Sequence, residues 1–82
     1  MVTVKKLINS KGNKKLGNHR VEVQSNGEYW YYYYATPIAK VDYGRQVITV
    51  DNGGYKTSST TRAINSYIRE HDGFELIDNR VN

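Results

Sequence analysis

The sequence predicts an α+β domain: a strongly twisted antiparallel β-meander of about four strands, packed against one C-terminal amphipathic helix. Three observations carry that expectation. Asn26-Gly27 separates two β-prone runs and is a strong hairpin signal, because the tightest turn type needs positive φ at both central residues. Residues 38–50 hold two alternating apolar runs around Tyr43-Gly44-Arg45-Gln46. Residues 60–70 place Ala63, Ile64, Tyr67 and Ile68 on one helical stripe.

Taken in order, the N-terminal residues Val2, Val4, Leu7 and Ile8 fit either a short strand or one face of a short helix, an extra element whose type stays open. Residues 10–18 are polar, glycine-bearing and basic, and read as a flexible basic loop. His19 to Gln24 alternate polar and apolar side chains, as a half-buried strand does. With Asn26-Gly27 as a two-residue loop, Gln24 opposes Tyr29, Val23 opposes Trp30, Glu22 opposes Tyr31 and Val21 opposes Tyr32. Side chains alternate across a strand. This register therefore sends Val21, Val23, Trp30, Tyr32 and Tyr34 to the core. It leaves Tyr29, Tyr31 and Tyr33 on an exposed face beside Arg20, Glu22 and Gln24.

Pro37 cannot donate to a ladder and marks an edge, a bend or a strand start. Ile38 to Asp42 and Gln46 to Val50 then form two strands, with Val41 opposite Ile48 and Ala39 opposite Val50. Asp51 to Gly54 ends the meander. Ser58 to Thr61 offer caps for a helix from about Thr60 to Glu70, with Gly73 suited to a left-handed stop. Phe74 to Ile77 is a candidate last short strand.

Eighty-two residues make a single domain, residues 1–82, with a thin stability margin. The absence of cysteine removes thiol chemistry and disulfides and fits a reducing compartment. No apolar stretch approaches the roughly 18 residues of a membrane span, and the first residues lack a signal-peptide pattern. The expectation is a soluble cytoplasmic protein. The net charge of +4 is asymmetric: residues 1–20 carry six basic side chains and no acid, whereas residues 21–82 carry six basic and eight acidic ones. A basic N-terminal segment attracts polyanions, screened by salt.

The segment Tyr33 to Ile68 resembles a group of short, uncharacterised bacteriophage and prophage proteins. The residues that carry the resemblance are Thr36-Pro37-Ile38, Gly53-Gly54-Tyr55, Thr57 and Thr60-Thr61-Arg62-Ala63-Ile64-Asn65. It implies a phage or prophage origin, hence a host-cell cytoplasm, and carries no activity across.

Enzymatic chemistry finds little footing. His19 and His71 are the only histidines, and without cysteine they form no set with zinc-like spacing, so neither metal nor cofactor is expected. The hydroxyls at 57–61 suit caps better than a nucleophile elbow. Gly53-Gly54 lacks the Lys-Ser/Thr that follows a phosphate-binding loop. The carboxylates form no paired-acid motif. The reading is a non-enzymatic binding protein. Lys11, Lys14, Lys15 and Arg20 supply charge for nucleic acid, and Tyr29, Tyr31 and Tyr33 supply stacking surfaces for a single strand. The alternative is a phage-encoded inhibitor of a host or anti-phage defence protein, of the anti-CRISPR kind, using the same tyrosines as anchors with Arg62 and Arg69 at the rim. Plain structural roles compete with both: lysines that keep a small domain soluble, and tyrosines covered on both sheet faces. A membrane or a small-molecule ligand is not expected.

Overall fold

A computed structural model describes residues 1–81 of the protein. The chain runs α1 (Val2–Ser10), β1 (Lys14–Leu16), β2 (His19–Val23), β3 (Tyr29–Tyr33), β4 (Thr36–Asp42), β5 (Val47–Val50), α2 (Ser58–Glu70) and β6 (Glu75–Asp78). The expected α+β class holds, but among the described residues the sheet has six strands, in the order β1-β2-β3-β4-β5-β6. Neighbours from β1 to β5 are antiparallel, while β6 runs parallel to β5. The crossover between β5 and β6 is made by α2, because parallel neighbours need a long connection. The helix is thus an inserted element followed by β6, and it is one of two among the described residues.

The open choice at the N-terminus resolves as a helix. Val4 and Leu7, one helical turn apart, are buried in the same core as Ala63, Ile64 and Tyr67 of α2. Both helices therefore cover one face of the sheet. Residues 10–18, expected as a loop, contain the edge strand β1, in which Lys15 opposes Arg20 and Leu16 opposes His19. That pairing depends on a partner strand, which local composition does not reveal.

The decisive difference lies in the β2–β3 hairpin. Gln24 N–H donates to the Glu28 carbonyl at 2.8 Å, and Gly27 N–H donates to the Gln24 carbonyl at 2.9 Å. The loop therefore spans residues 25–27, one longer than expected, with Gly27 at φ +90°. Asn26 fixes it: its Oδ1 accepts from Glu28 N–H at 3.0 Å, an Asx-type turn. The register becomes His19 opposite Tyr33, Val21 opposite Tyr31 and Val23 opposite Tyr29. A one-residue slip moves every side chain to the other face. Tyr31 is accordingly 0% exposed, and Tyr29 and Tyr33 are half-buried against the core, which corrects the exposed tyrosine face. Trp30 and Tyr32, expected inside, stand on the outer face, and Tyr34 sits in the β3–β4 turn at 59% exposure.

Tyr31 fits inside because its partner in β4 is the small Ala39 and the Tyr67 ring lies 4.7 Å away. A bulge follows: Tyr31 opposes Ala39 but Tyr32 opposes Pro37, so Ile38 is the extra residue and is buried together with Ala39. Pro37 thereby occupies an irregular ladder position near a strand start. The β4–β5 pairs Ala39–Val50 and Val41–Ile48 are as expected. In α2, Thr57 Oγ1 accepts from Thr60 N–H at 3.2 Å and caps the helix; Ala63, Ile64 and Tyr67 are buried and Ile68 half-buried. Gly73 takes φ +89° beyond its end.

Candidate functional site

Among the described residues no helix or strand covers the second sheet face. Two cross-strand rows define its centre. Lys15, Arg20 and Tyr32 form one row; Glu22, Trp30, Lys40, Thr49 and Ile77 form the other. Each aromatic ring in these rows carries a cation: Arg20 Cζ lies 4.0 Å from the Tyr32 ring centre, and Lys40 Nζ lies 4.0 Å from that of Trp30. Such contacts are worth about 0.5–1 kcal/mol at exposed sites.

Arg20 is held from three directions. Its Nε donates to Glu22 Oε2 at 2.8 Å, its Nη1 donates to the Tyr34 carbonyl at 2.9 Å, and its guanidinium lies over Tyr32. Trp30 is oriented by its indole N–H, which donates to Glu28 Oε1 at 3.1 Å. Glu28 also accepts from the Asn26 amide at 3.2 Å, so the hairpin loop and the tryptophan share one anchor. Two half-exposed rings and three cations on an uncovered sheet can stack flat π-systems and pair with anions.

The expected site residues are divided by this geometry. Lys15 and Arg20 come together on the open face. Lys14 precedes Lys15 in β1 and alternates to the other side. Lys11 ends α1 in a left-handed conformation, where its carbonyl accepts from the Tyr29 hydroxyl at 3.4 Å, beyond the far end of β3 from Tyr32. Tyr29 packs edge-on against Tyr43 at 5.2 Å, and Tyr33 packs beside His19 at 4.7 Å. Trp30, Tyr32 and Lys40 were missed as site residues; the correct hairpin register would have pointed to them.

The covered side has its own polar arrangement. Tyr31 Oη lies 2.8 Å from Tyr43 Oη, which lies 2.7 Å from His71 Nε2; His71 Nδ1 lies 2.7 Å from the Tyr67 carbonyl. A carbonyl only accepts, so Nδ1 carries the imidazole proton. Nε2 then accepts from Tyr43, and Tyr43 accepts from Tyr31. Burial pushes the Tyr31 hydroxyl far above its ordinary range, and its hydrogen bond to Tyr43 pushes it further. Burial also raises the Tyr43 and Tyr67 hydroxyls and lowers His71. These groups are neutral around pH 7, and the relay acts as internal scaffolding.

Fold and site together define a two-layer α+β protein whose uncovered sheet face is aromatic and cationic. The chain belongs to the family of unknown function DUF8033, whose model matches residues 2–79. No curated protein and no solved structure matches it.

Proposed function

We propose that the protein is a non-enzymatic binder of single-stranded nucleic acid, working through the open sheet face. Lys15, Arg20 and Lys40 meet phosphates, and Trp30 and Tyr32 meet bases. The observation that carries this reading is the pair of cation-topped rings on the face that no other described element covers. Stacking on aromatic side chains favours unpaired bases and tolerates many sequences, while the cations add salt-dependent affinity. A catalytic role finds no support in the hydroxyl–imidazole pair Tyr43–His71, since His71 is buried and both its nitrogens are engaged.

The test is titration of labelled single- and double-stranded oligonucleotides of equal length at two salt concentrations, with wild type and Trp30→Ala. Single strands bind more tightly, and the substitution weakens them about 5- to 150-fold, the equivalent of roughly 1–3 kcal/mol of stacking. Weak binding that vanishes with salt and ignores Trp30 overturns the reading.

A second reading keeps the same face for a protein partner, such as a host or anti-phage defence protein blocked by a phage product in the host cytoplasm. It is favoured by the edge strand β6, where Ile77, beside Thr49 on the open face, is 41% exposed. Apolar anchors at an open strand edge suit protein docking. Co-purification of a protein that survives nuclease and is lost on Ile77→Lys would support this second reading.

A further inference from the structure

At the end of the sheet that holds the β3–β4 turn, a cleft of about 450 Å³ opens between the turn, the 51–57 loop and the start of α2. Its walls include Tyr33, Tyr34, Ile38 and Tyr55, together with Thr57 and Thr60. Tyr34 and Tyr55 are the most exposed tyrosines there, at 59% and 60%. A second cleft, of about 360 Å³, shares Tyr34 and Ala35 with the first and carries Lys15, His19 and Arg20. Among the described residues no carboxylate lines either cleft. The volumes fall within the range of about 300–1,000 Å³ typical of ligand clefts.

The aromatic lip is built at a conformational cost. Tyr34 has φ 55°, a region that glycine enters far more readily than a bulky side chain. Such outliers persist where surrounding contacts over-determine them, and they cluster at functional sites. Here the Tyr34 amide donates to the Asn18 carbonyl at 2.8 Å, its carbonyl accepts from Arg20, and its hydroxyl accepts from the Asn18 amide at 3.0 Å. The opposite lip is fixed by Gly53-Gly54. Gly53 has φ +59°, and a Cβ there would stand 2.8 Å from Thr36 Cγ2, so only glycine lets the loop close on the turn. Asn52, buried, clamps that loop: its Oδ1 accepts from Gly54 N–H at 2.9 Å and from Val81 N–H at 3.2 Å, and its amide donates to the Val81 carbonyl at 3.1 Å. Tyr55 N–H completes the loop on the Asn52 carbonyl at 2.8 Å.

We infer that this pair of clefts is a nucleotide site: the base enters between Tyr34 and Tyr55, and the phosphate lies toward Lys15 and Arg20. The inference rests on the nucleic-acid reading and extends it, because Arg20 joins the open face, through Tyr32, to the cleft, through the Tyr34 carbonyl. A strand crossing the open face would deliver one nucleotide past Arg20 into the cleft. The occupant follows from chemistry. Three tyrosines offer stacking surface, while Asn52 Oδ1 already accepts from Gly54 and Val81 and its amide donates to Val81, so ring stacking leads recognition. Lys15 and Arg20 at the second cleft suit an anion attached to the ring, with Arg20 already pairing Glu22 through Nε on the open-face side.

The test uses adenosine monophosphate, uridine monophosphate and inorganic phosphate as probes, with tyrosine ring signals followed by NMR. Both nucleotides shift Tyr34 and Tyr55, and inorganic phosphate alone binds at least fivefold more weakly. Tyr55→Ala lowers nucleotide affinity by at least fivefold without moving the melting temperature. Tyr34→Gly removes the ring at a backbone position that glycine prefers, so it lowers affinity while the fold is kept. Nucleotides that bind no better than phosphate, or affinities untouched by Tyr55→Ala and Tyr34→Gly, overturn the cleft assignment. In that case, oligonucleotide binding still sensitive to Trp30 would leave the open-face reading standing. Cleft shifts by mononucleotides together with oligonucleotide binding indifferent to Trp30 would sink the open-face reading alone.

Discussion

Tyr31 and Tyr32 are adjacent in the chain and live in opposite environments. Tyr31 is fully buried under α2, hydrogen-bonded to Tyr43 and stacked near Tyr67. Tyr32 stands on the open face beneath the Arg20 guanidinium. The two faces they belong to differ in the same way. The covered face is held by apolar contact and a neutral hydroxyl–imidazole relay; the open face is held by charge over rings. What separates them is one residue of loop length at 25–27, since a slip of one residue exchanges the faces. Composition alone is blind to this, because both faces draw on the same run of aromatic residues.

The largest expected effect contrasts the faces directly. Tyr31→Ala opens a cavity in the core and costs about 3–5 kcal/mol, as large-to-small aromatic substitutions do. Tyr32→Ala costs about 1 kcal/mol, the scale of an exposed cation–π contact and its packing. Chemical denaturation of both variants checks the difference, and equal losses would mean that the open face is covered in solution. Next in size is the loop that sets the register. Gly27→Val forces a β-branched residue to φ +90° and costs about 1–3 kcal/mol; a melting temperature within a degree or two of wild type would place the turn elsewhere.

The sequence made some of this legible and hid the rest for identifiable reasons. The β4–β5 register could be read because a short turn joins two alternating runs, so Val41–Ile48 and Ala39–Val50 had no competing arrangement. The α2 stripe could be read because Ala63, Ile64 and Tyr67 fit only a helical period. Asn26-Gly27 marked a turn correctly, but it is compatible with loops of two or three residues, and the choice rests on the Asn26 side chain capping Glu28 N–H. Val2 to Ile8 fit both periods, and only burial against α2 selects a helix. The pairings of β1 and β6 depend on distant partners, which no local pattern encodes. Of the candidate site, charge alone pointed to Lys15 and Arg20, whereas Trp30 and Lys40 become visible only once the register is known.

A third prediction sharpens the contrast through pH. Burial holds the His71 imidazole below its ordinary value of 6.5, so the unfolded chain takes up a proton that the folded chain refuses. Stability is therefore fully present above pH 6.5 and falls as pH drops through the folded-state value. His19, also lowered by burial, adds to the same trend. His71→Gln removes part of that pH dependence, and denaturation curves between pH 5 and pH 8 would show it; a slope unchanged by the substitution would contradict the buried relay. The smallest effect concerns Tyr67, whose hydroxyl is buried without a partner among the described residues. Tyr67→Phe removes a desolvated polar group and leaves stability equal or raised by up to about 1 kcal/mol. A loss of 2 kcal/mol or more would show that the hydroxyl has a partner in solution.

Trp30 is the only tryptophan, so its emission reports on the open face without any label. Adding a single-stranded oligonucleotide at moderate salt should quench that emission to saturation, with a duplex of equal length doing markedly less, and Lys15→Ala with Arg20→Ala should shift the midpoint to higher concentration. Saturating oligonucleotide binding, detected by anisotropy, with Trp30 emission unchanged would contradict the open face as the nucleic-acid surface.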